Sequence, residues 1–182
     1  MQEIVLSDGV KPALEWVNDR VLQKVNPERK HAVAQRRFAA ALGAWADDRG
    51  CGEVGTEWRF QVQSPGEIRR SLVPDVAYIS YGRMPFEELE RTGAPAIAPD
   101  VVVEIRSPDD RQDDIDEKVR VYLAAGTRAI FLIDPATKSV KVVDSRGERD
   151  LSEGVIEHQS LPGFSLDAIR LFAAPRLPER SS

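Results

Sequence analysis

The hydrophobic pattern changes near residue 26 from alternation to a helical spacing. In residues 13–25 apolar side chains alternate with polar ones on both sides of Asn18-Asp19, which predicts a β-hairpin turning at that pair, with a helix as the alternative. Asn26-Pro27-Glu28 is typical of a helix start, with Asn as the cap and Pro at the first helical position. We predict a helix from there to about Asp48. Its buried stripe comprises Ala34, Phe38, Ala41, Leu42 and Trp45.

Three strands are predicted between this helix and the next. In TEWRFQV the apolar residues Trp58, Phe60 and Val62 alternate with polar ones, and DVAYIS at 75–80 follows a turn. DVVVEIR at 100–106 is rich in β-branched residues, which is typical of a strand covered on both faces of a sheet. We therefore expect that segment to be a central strand.

The second half of the chain predicts a helix followed by more strands. An acid-rich start at 109–114 and apolar positions at Ile115, Val119 and Tyr122 predict a helix that ends at Gly126. AIFLID and KSVKVVD then predict two strands, and VIEHQ follows another turn. This order of elements predicts an α/β protein that begins with the hairpin.

Length and composition fit one domain. The chain has 182 residues, of which 42% are hydrophobic and 30% charged. Apolar periodicity continues from Ala13 to Phe172 without a Gly/Ser-rich or Pro-rich linker. We predict a single domain over residues 1–182, with its core at about 13–172 and a frayed tail at 173–182.

Charge and cysteine content limit which compartment and which partners we expect for the protein. The N-terminus lacks a secretory pattern, no apolar run approaches the length of a membrane span, and the single Cys51 cannot form an internal disulfide. We expect a cytoplasmic protein with no membrane partner. The net charge of −5 argues against indiscriminate binding of phosphate backbones, although a local basic face can coexist with it.

The candidate chemistry lies on two strands and the following helix. Glu104 is surrounded by apolar residues in VVVEI, where a carboxylate is costly to bury unless it is paired or metal-bound. If the strands are adjacent, Asp75 meets Glu104 across the ladder, and two carboxylates can hold a hard divalent cation. Asp100 is a rival, but four residues of strand separate it from Glu104 by roughly 13 Å. The pair predicted to share an ion is therefore Asp75 and Glu104.

Two cationic side chains could supply positive charge to such a site. Lys118 is at the edge of the apolar face of its helix, and the alternative is an exposed salt bridge to Asp114. Arg106 shares a strand face with Glu104, but a guanidinium stays protonated and cannot act as a base. His31 falls on the first helix's stripe, where a hydrogen-bonded histidine at the core edge is the alternative to a functional role.

Several ordered motifs resemble one known family. They are PDV at 74–76, PDVVVEIRSP at 99–108, Lys118, YLAAGTRAIFLIDP at 122–135 and LPGF at 161–164. Together with the early hairpin that carries Glu15, and with His31, they resemble the Uma-two family of the PD-(D/E)XK nuclease superfamily. The resemblance implies a restriction-endonuclease-like core, in which helices flank a mixed sheet. It also implies that Asp75 and Glu104 are the first and second acids of the motif.

The resemblance leaves the lysine of the superfamily motif at one of two places. The strict motif places it where this chain has Arg106, whereas some members carry it on the following helix, which points to Lys118. It also implies that Glu15 and His31 lie near the site, and we expect them there without direct metal contact.

The function expected from these observations is a Mg²⁺-dependent DNA endonuclease, with Mn²⁺ as a substitute metal. Asp75 and Glu104 are its expected metal ligands, and Lys118 is expected to orient water or to stabilise phosphate charge. Double-strand cutting by a small protein with one site favours a homodimer. The alternative is a catalytically inactive nucleic-acid- or protein-binding module, which the negative net charge and the absence of lysine at position 106 favour.

Overall fold

A six-stranded mixed sheet forms the centre of the computed structural model, which describes residues 13–24 and 28–174. The elements of the described chain are β1 (Leu14–Val17), β2 (Arg20–Gln23), α1 (Arg29–Arg49), β3 (Gly52–Thr56), β4 (Phe60–Val62), β5 (Arg70–Leu72), β6 (Val76–Ser80), α2 (Phe86–Leu89), β7 (Val101–Ile105), α3 (Gln112–Ala124), β8 (Ala129–Asp134), β9 (Ser139–Asp144), β10 (Gly147–Asp150), β11 (Val155–Ile156), β12 (Leu166–Asp167) and α4 (Ala168–Phe172).

The sheet has the strand order β10-β9-β8-β7-β6-β3. Strands β7 and β8 are parallel and joined by α3, while every other neighbouring pair is antiparallel. Side chains of β7 are covered on both faces, and Val101, Val102 and Val103 have no exposed surface. The predicted central strand is confirmed, and its β-branched sequence reflects burial from two sides.

Each face of the sheet packs against its own helical layer. Because side chains alternate along a strand, Val101 and Val103 point to one side and Val102 to the other. The first side is covered by α1 and α4, and the second by α3 and by the small β4–β5 ribbon. Prominent members of the first layer are Phe38, Leu42, Trp45, Phe131 and Phe164. Prominent members of the second are Phe60, Ile79, Tyr122 and Ile130.

The N-terminal hairpin forms where the sequence predicts it. Its turn residues Asn18 and Asp19 have φ angles of 48° and 56°, which match the tight two-residue turns that suit antiparallel strands. The following helix α1 ends one residue beyond Asp48, where Gly50 takes up a left-handed conformation with φ of 54°. The proposed cap Asn26 and the first-turn Pro27 lie outside the described residues.

The strand prediction was incomplete in one region, between α1 and α3. Five strands and the short α2 occupy this region instead of three strands. The predicted segment TEWRFQV is divided, because Thr56 ends β3 and only Phe60–Val62 forms β4. Glu57 has a φ of 50° and turns the chain, so Trp58 leaves the ladder and packs on the Phe60 ring at 4.9 Å. The edge strand β3 begins at Gly52. A glycine is needed at this position because a Cβ there would lie 2.3 Å from the Ile79 carbonyl oxygen.

The remaining expectations concern the chain ends and membranes. Residues 1–12 and residues 175–182, which include most of the predicted frayed tail, lie outside the described residues. Among residues 13–24 and 28–174, none of the helices combines the length and apolar character that a membrane span needs.

Candidate active site

Asp75 and Glu104 face each other at one end of the β6–β7 pair. The antiparallel register pairs Val76 with Val103, so the next step of the same register sets Asp75 opposite Glu104. Asp75 is almost completely buried, and only 12% of the Glu104 side chain is exposed. The predicted placement of Asp75 opposite Glu104 on neighbouring strands is confirmed.

The two oxygens of Asp75 have different partners. Oδ2 accepts a hydrogen bond from the Ile105 backbone N–H at 2.6 Å and lies 3.4 Å from Nε2 of His31. Oδ1 lies 2.6 Å from Nζ of Lys24. Burial alone would raise the pKa of this carboxyl, but the charge of Lys24 and the hydrogen bond with His31 outweigh it and hold the pKa well below its usual range. Asp75 is therefore a fixed, ionised carboxylate.

Glu104 has one paired oxygen and one unpaired oxygen. Oε2 lies 3.2 Å from Nζ of Lys118, whereas Oε1 is buried without a hydrogen-bond partner. Burial raises the pKa of the Glu104 carboxyl to about 7, and the nearby Lys118 charge only partly opposes that shift. A buried oxygen without a partner is costly, so Oε1 could act as a ligand for a cation.

Lys118 points inward from α3 to the carboxylates. Its Nζ lies 2.7 Å from Oε2 of Glu15 in addition to the contact with Glu104. The alternative salt bridge with Asp114 is not formed, because Asp114 binds Arg20 and Asn18 of the hairpin. Burial alone would lower the pKa of the Lys118 ammonium, but the two glutamates outweigh it and hold that pKa above its usual value.

A family model described as a putative restriction endonuclease, Uma2, matches residues 2–169. The chain belongs to the Uma2 family. The Uma-two resemblance of the sequence motifs is therefore confirmed. A comparison with curated protein sequences gives no match.

A solved structure shares the fold of this Uma2 protein. It is described as a putative nuclease belonging to DUF820 from Anabaena variabilis ATCC 29413. The two chains are 26% identical and superpose with a TM-score of 0.79, and the match covers 90% of this chain and 91% of the other. The predicted mixed-sheet nuclease architecture is confirmed, and the family and the fold together support a nuclease.

Glu15 and His31 both lie beside the site formed by Asp75, Glu104 and Lys118, as the motif resemblance implies. Glu15 uses Oε1 to accept the Val73 backbone N–H at 2.8 Å, and it uses Oε2 to hold Lys118. His31 contacts Asp75 from α1, and this contact raises the pKa of the imidazole against the effect of burial. Both side chains therefore hold charged groups of the site in place.

Arg106 and Asp100 lie away from the carboxylate pair. The exposed Arg106 donates a hydrogen bond to Oε1 of Gln112 at the start of α3, so it stands at the rim of the site. Asp100 is at the other end of β7, where it accepts hydrogen bonds from the Ser80 backbone and from Arg83. The exclusion of Asp100 from the site is confirmed.

Three residues at the site lie outside the sequence-based prediction. Lys24 contacts Asp75 and, at 3.2 Å, Glu57; Gln35 donates hydrogen bonds to Glu57 Oε1 and to the Asp75 carbonyl, each at 2.9 Å. Burial would lower the pKa of Lys24, but Asp75 and the other nearby carboxylates raise it. No local signal marks Lys24, because its position depends on how the hairpin docks against β6.

A surface cleft of about 1170 Å³ opens over the carboxylate pair. Its walls come from the hairpin, the start of α3 and the adjoining parts of β8 and β9. Apart from Lys24 and Lys118, the positively charged Lys and Arg side chains of the lining are Arg20, Arg59, Arg106, Arg111 and Lys141. Apart from Glu15, Asp75 and Glu104, the negative side chains of the lining are Glu57, Asp109, Asp110, Asp114, Asp116, Asp134 and Glu148. The cleft of this Uma2 protein thus has a rim of mixed charge above Asp75 and Glu104.

Proposed function

We propose that the protein is a Mg²⁺-dependent endonuclease that hydrolyses phosphodiester bonds of DNA. Asp75 and Glu104 are its metal ligands, and Lys118 is the lysine of its catalytic set. The observation that carries the proposal is the opposed carboxylate pair, with Lys118 directed at it from α3. Membership of the Uma2 family supports the same reaction class.

The carboxylate oxygens of the site fit a hard cation whose coordination shell is only partly filled by protein atoms. Within residues 13–24 and 28–174, no cluster of three or more His, Cys, Asp or Glu side chains could hold a metal by itself. Mg²⁺ is commonly bound by one or two carboxylates, and waters and substrate phosphates complete its shell. The unpaired Oε1 of Glu104 and the ionised Asp75 supply such a pair of oxygens.

The protein groups around the pair would each have a separate task. A bound divalent cation supplies charge that polarises a phosphate and acidifies a coordinated water. Lys118, held by Glu15, keeps an ammonium beside Glu104, where it can orient the attacking water or stabilise phosphate charge. Arg106 stands at the rim, where a guanidinium suits binding of a flanking phosphate.

Metal affinity is expected to rise with pH up to about 7 and to level off above it. In the metal-free protein the pKa of Glu104 is raised to about 7, so at lower pH the cation must displace a proton from this carboxyl. Calorimetric titration with Mn²⁺ at about pH 6, in two buffers of different ionisation enthalpy, should show close to one proton released per ion. Equal heats in both buffers would contradict this assignment of Glu104.

A cleavage assay on several DNA forms tests the proposed reaction. Purified protein is incubated with supercoiled, linear and single-stranded DNA in the presence of Mg²⁺, Mn²⁺ or chelator. We expect metal-dependent cleavage by the wild type that disappears in chelator. Binding of DNA without cleavage under every metal and substrate condition would instead support the inactive binding module. The net charge of −5 makes low ionic strength the first condition to test.

The same assay reports on the proposed homodimer. The proposed site of each chain is the single Asp75–Glu104 pair, so cutting both strands of a duplex at one position requires two copies of the site. A dimer should convert supercoiled DNA to linear product with little accumulation of nicked circles. Nicked circles alone would indicate that one chain acts independently.

A further inference from the structure

The oxygens of Asp75 differ in how accessible they are to an incoming cation. Oδ2 is held by the Ile105 backbone N–H at 2.6 Å and by His31 at 3.4 Å, and both of these residues are buried. Oδ1 has Lys24 as its partner, at 2.6 Å. The oxygen left for metal coordination is therefore the one that a lysine already occupies.

Lys24 cannot keep this position beside a bound metal. Hard cations sit roughly 2.0–2.6 Å from a ligand oxygen, so an ammonium on the same oxygen would remain within ~4 Å of a dication. Repulsion at that distance is strong in a site shielded from water, and only 17% of the Lys24 side chain is exposed. Lys118 creates no such conflict, because it binds Oε2 of Glu104 and leaves Oε1 open.

A second partner is already in place for Lys24. Nζ also lies 3.3 Å from Oε1 and 3.2 Å from Oε2 of Glu57, whose side chain is 44% exposed. Glu57 is itself held by Gln35 and by the hydrogen bond from its backbone N–H to the Asp75 carbonyl at 3.3 Å. A small rotation of the Lys24 side chain would therefore exchange Asp75 for Glu57 without leaving the ammonium unpaired.

We propose that Lys24 is an internal counter-ion that occupies Oδ1 of Asp75 until a divalent cation displaces it toward Glu57. The inference rests on the proposed function, because it takes Asp75 as a metal ligand. Lys24 acts in this role as a positioning residue that sets metal affinity. It keeps the buried carboxylate neutralised in the metal-free protein, and the metal must compete with it for the site.

Mn²⁺ binding to Lys24→Met, followed by paramagnetic resonance of the free ion, tests this competition. Methionine matches the lysine side chain as far as Cε and removes the ammonium, so Mn²⁺ affinity should increase at least tenfold over the wild type. The matched control is Lys141→Met, which removes a lysine of the same cleft that pairs with Glu148 at 2.7 Å. Its Mn²⁺ affinity should remain within about twofold of the wild type, since exposed ion pairs couple weakly.

Asp75→Ala separates this inference from the proposed function. If Asp75→Ala abolishes Mn²⁺ binding while Lys24→Met binds no more tightly than the wild type, the site is a metal site and the counter-ion role is wrong. If Asp75→Ala binds Mn²⁺ as well as the wild type does, or if neither the wild type nor Lys24→Met binds it, both proposals are wrong. Mn²⁺ binding by Lys24→Met but not by the wild type would support the proposal, because it would mean that Lys24 blocks the site completely.

Lysine footprinting of the wild type gives the same answer without a variant, in case Lys24→Met does not fold. The protein is pulsed with acetic anhydride with and without saturating Mn²⁺, and acetylation is quantified for each lysine by mass spectrometry. Release from Asp75 should increase Lys24 acetylation at least threefold, while Lys141 acetylation stays constant. Unchanged Lys24 acetylation in the presence of bound Mn²⁺ would overturn the proposal.

Discussion

Asp75→Asn is expected to lower the rate of DNA cleavage at least about a thousandfold, which corresponds to roughly 4 kcal/mol of transition-state stabilisation. The amide keeps the shape of the side chain and can still accept the Ile105 N–H with its oxygen. It presents an NH₂ group instead of a charged oxygen to the metal position, so the cation loses one of its two carboxylate ligands. Initial rates with saturating Mg²⁺ and DNA measure the effect.

Asp100→Asn is the matched control for removal of a buried aspartate. Asp100 is as deeply buried as Asp75, but it lies at the opposite end of β7 and binds Ser80 and Arg83. We expect it to reduce thermal stability and to leave the turnover of folded protein within about threefold of the wild type. Cleavage by Asp75→Asn at a rate similar to that of Asp100→Asn would remove Asp75 from the metal site.

Lys118→Met is expected to reduce kcat by about a hundredfold to ten-thousandfold, the usual contribution of a group that moves or positions a catalytic proton. Lys118 is directed at Glu104 and lies next to the proposed metal position, so its loss should act on the chemical step. Mn²⁺ binding should change much less than turnover, because Lys118 leaves Oε1 of Glu104 open. Single-turnover cleavage at saturating DNA and metal measures the chemical step directly.

Arg106→Ala provides the comparison that separates the two cations. Arg106 lies at the exposed rim and contacts Gln112, so its removal should mainly raise KM for DNA, by about tenfold, with kcat nearly unchanged. A guanidinium can hold a phosphate but cannot accept a proton at working pH. Wild-type turnover by Lys118→Met under saturating conditions would transfer the catalytic role to Arg106 or remove it from this chain.

The carboxylate pair could be predicted because Glu104 stands out within its own strand. The alternation of side chains along neighbouring strands then selects Asp75 as the carboxylate opposite it. Glu104 interrupts a run of buried β-branched residues, and a carboxylate in such a place needs a strong compensating interaction. Asp75 precedes the neighbouring strand at the position that the β6–β7 register brings opposite Glu104. The apolar periodicity of α1 and α3 similarly predicts which helical faces pack on the sheet.

Lys24 could not be predicted because nothing in its sequence neighbourhood fixes where the hairpin docks. That docking depends on distant contacts: Glu15 accepts the Val73 N–H, and Asn18 and Arg20 at the turn bind Asp114 on α3. Strand β3 was missed for a related reason. Its glycine-rich sequence has low strand propensity, and pairing with β6 along five residues overrides that preference.

Anomalous diffraction from crystals soaked in Mn²⁺ tests the proposed metal site without reference to activity, because it locates the cation itself. The proposed site predicts one strong peak between β6 and β7, within roughly 2.0–2.6 Å of a carboxylate oxygen of Asp75 and of Oε1 of Glu104. Bound Mn²⁺ that contacts neither carboxylate, or the absence of any peak at the pair under saturating Mn²⁺, would contradict it.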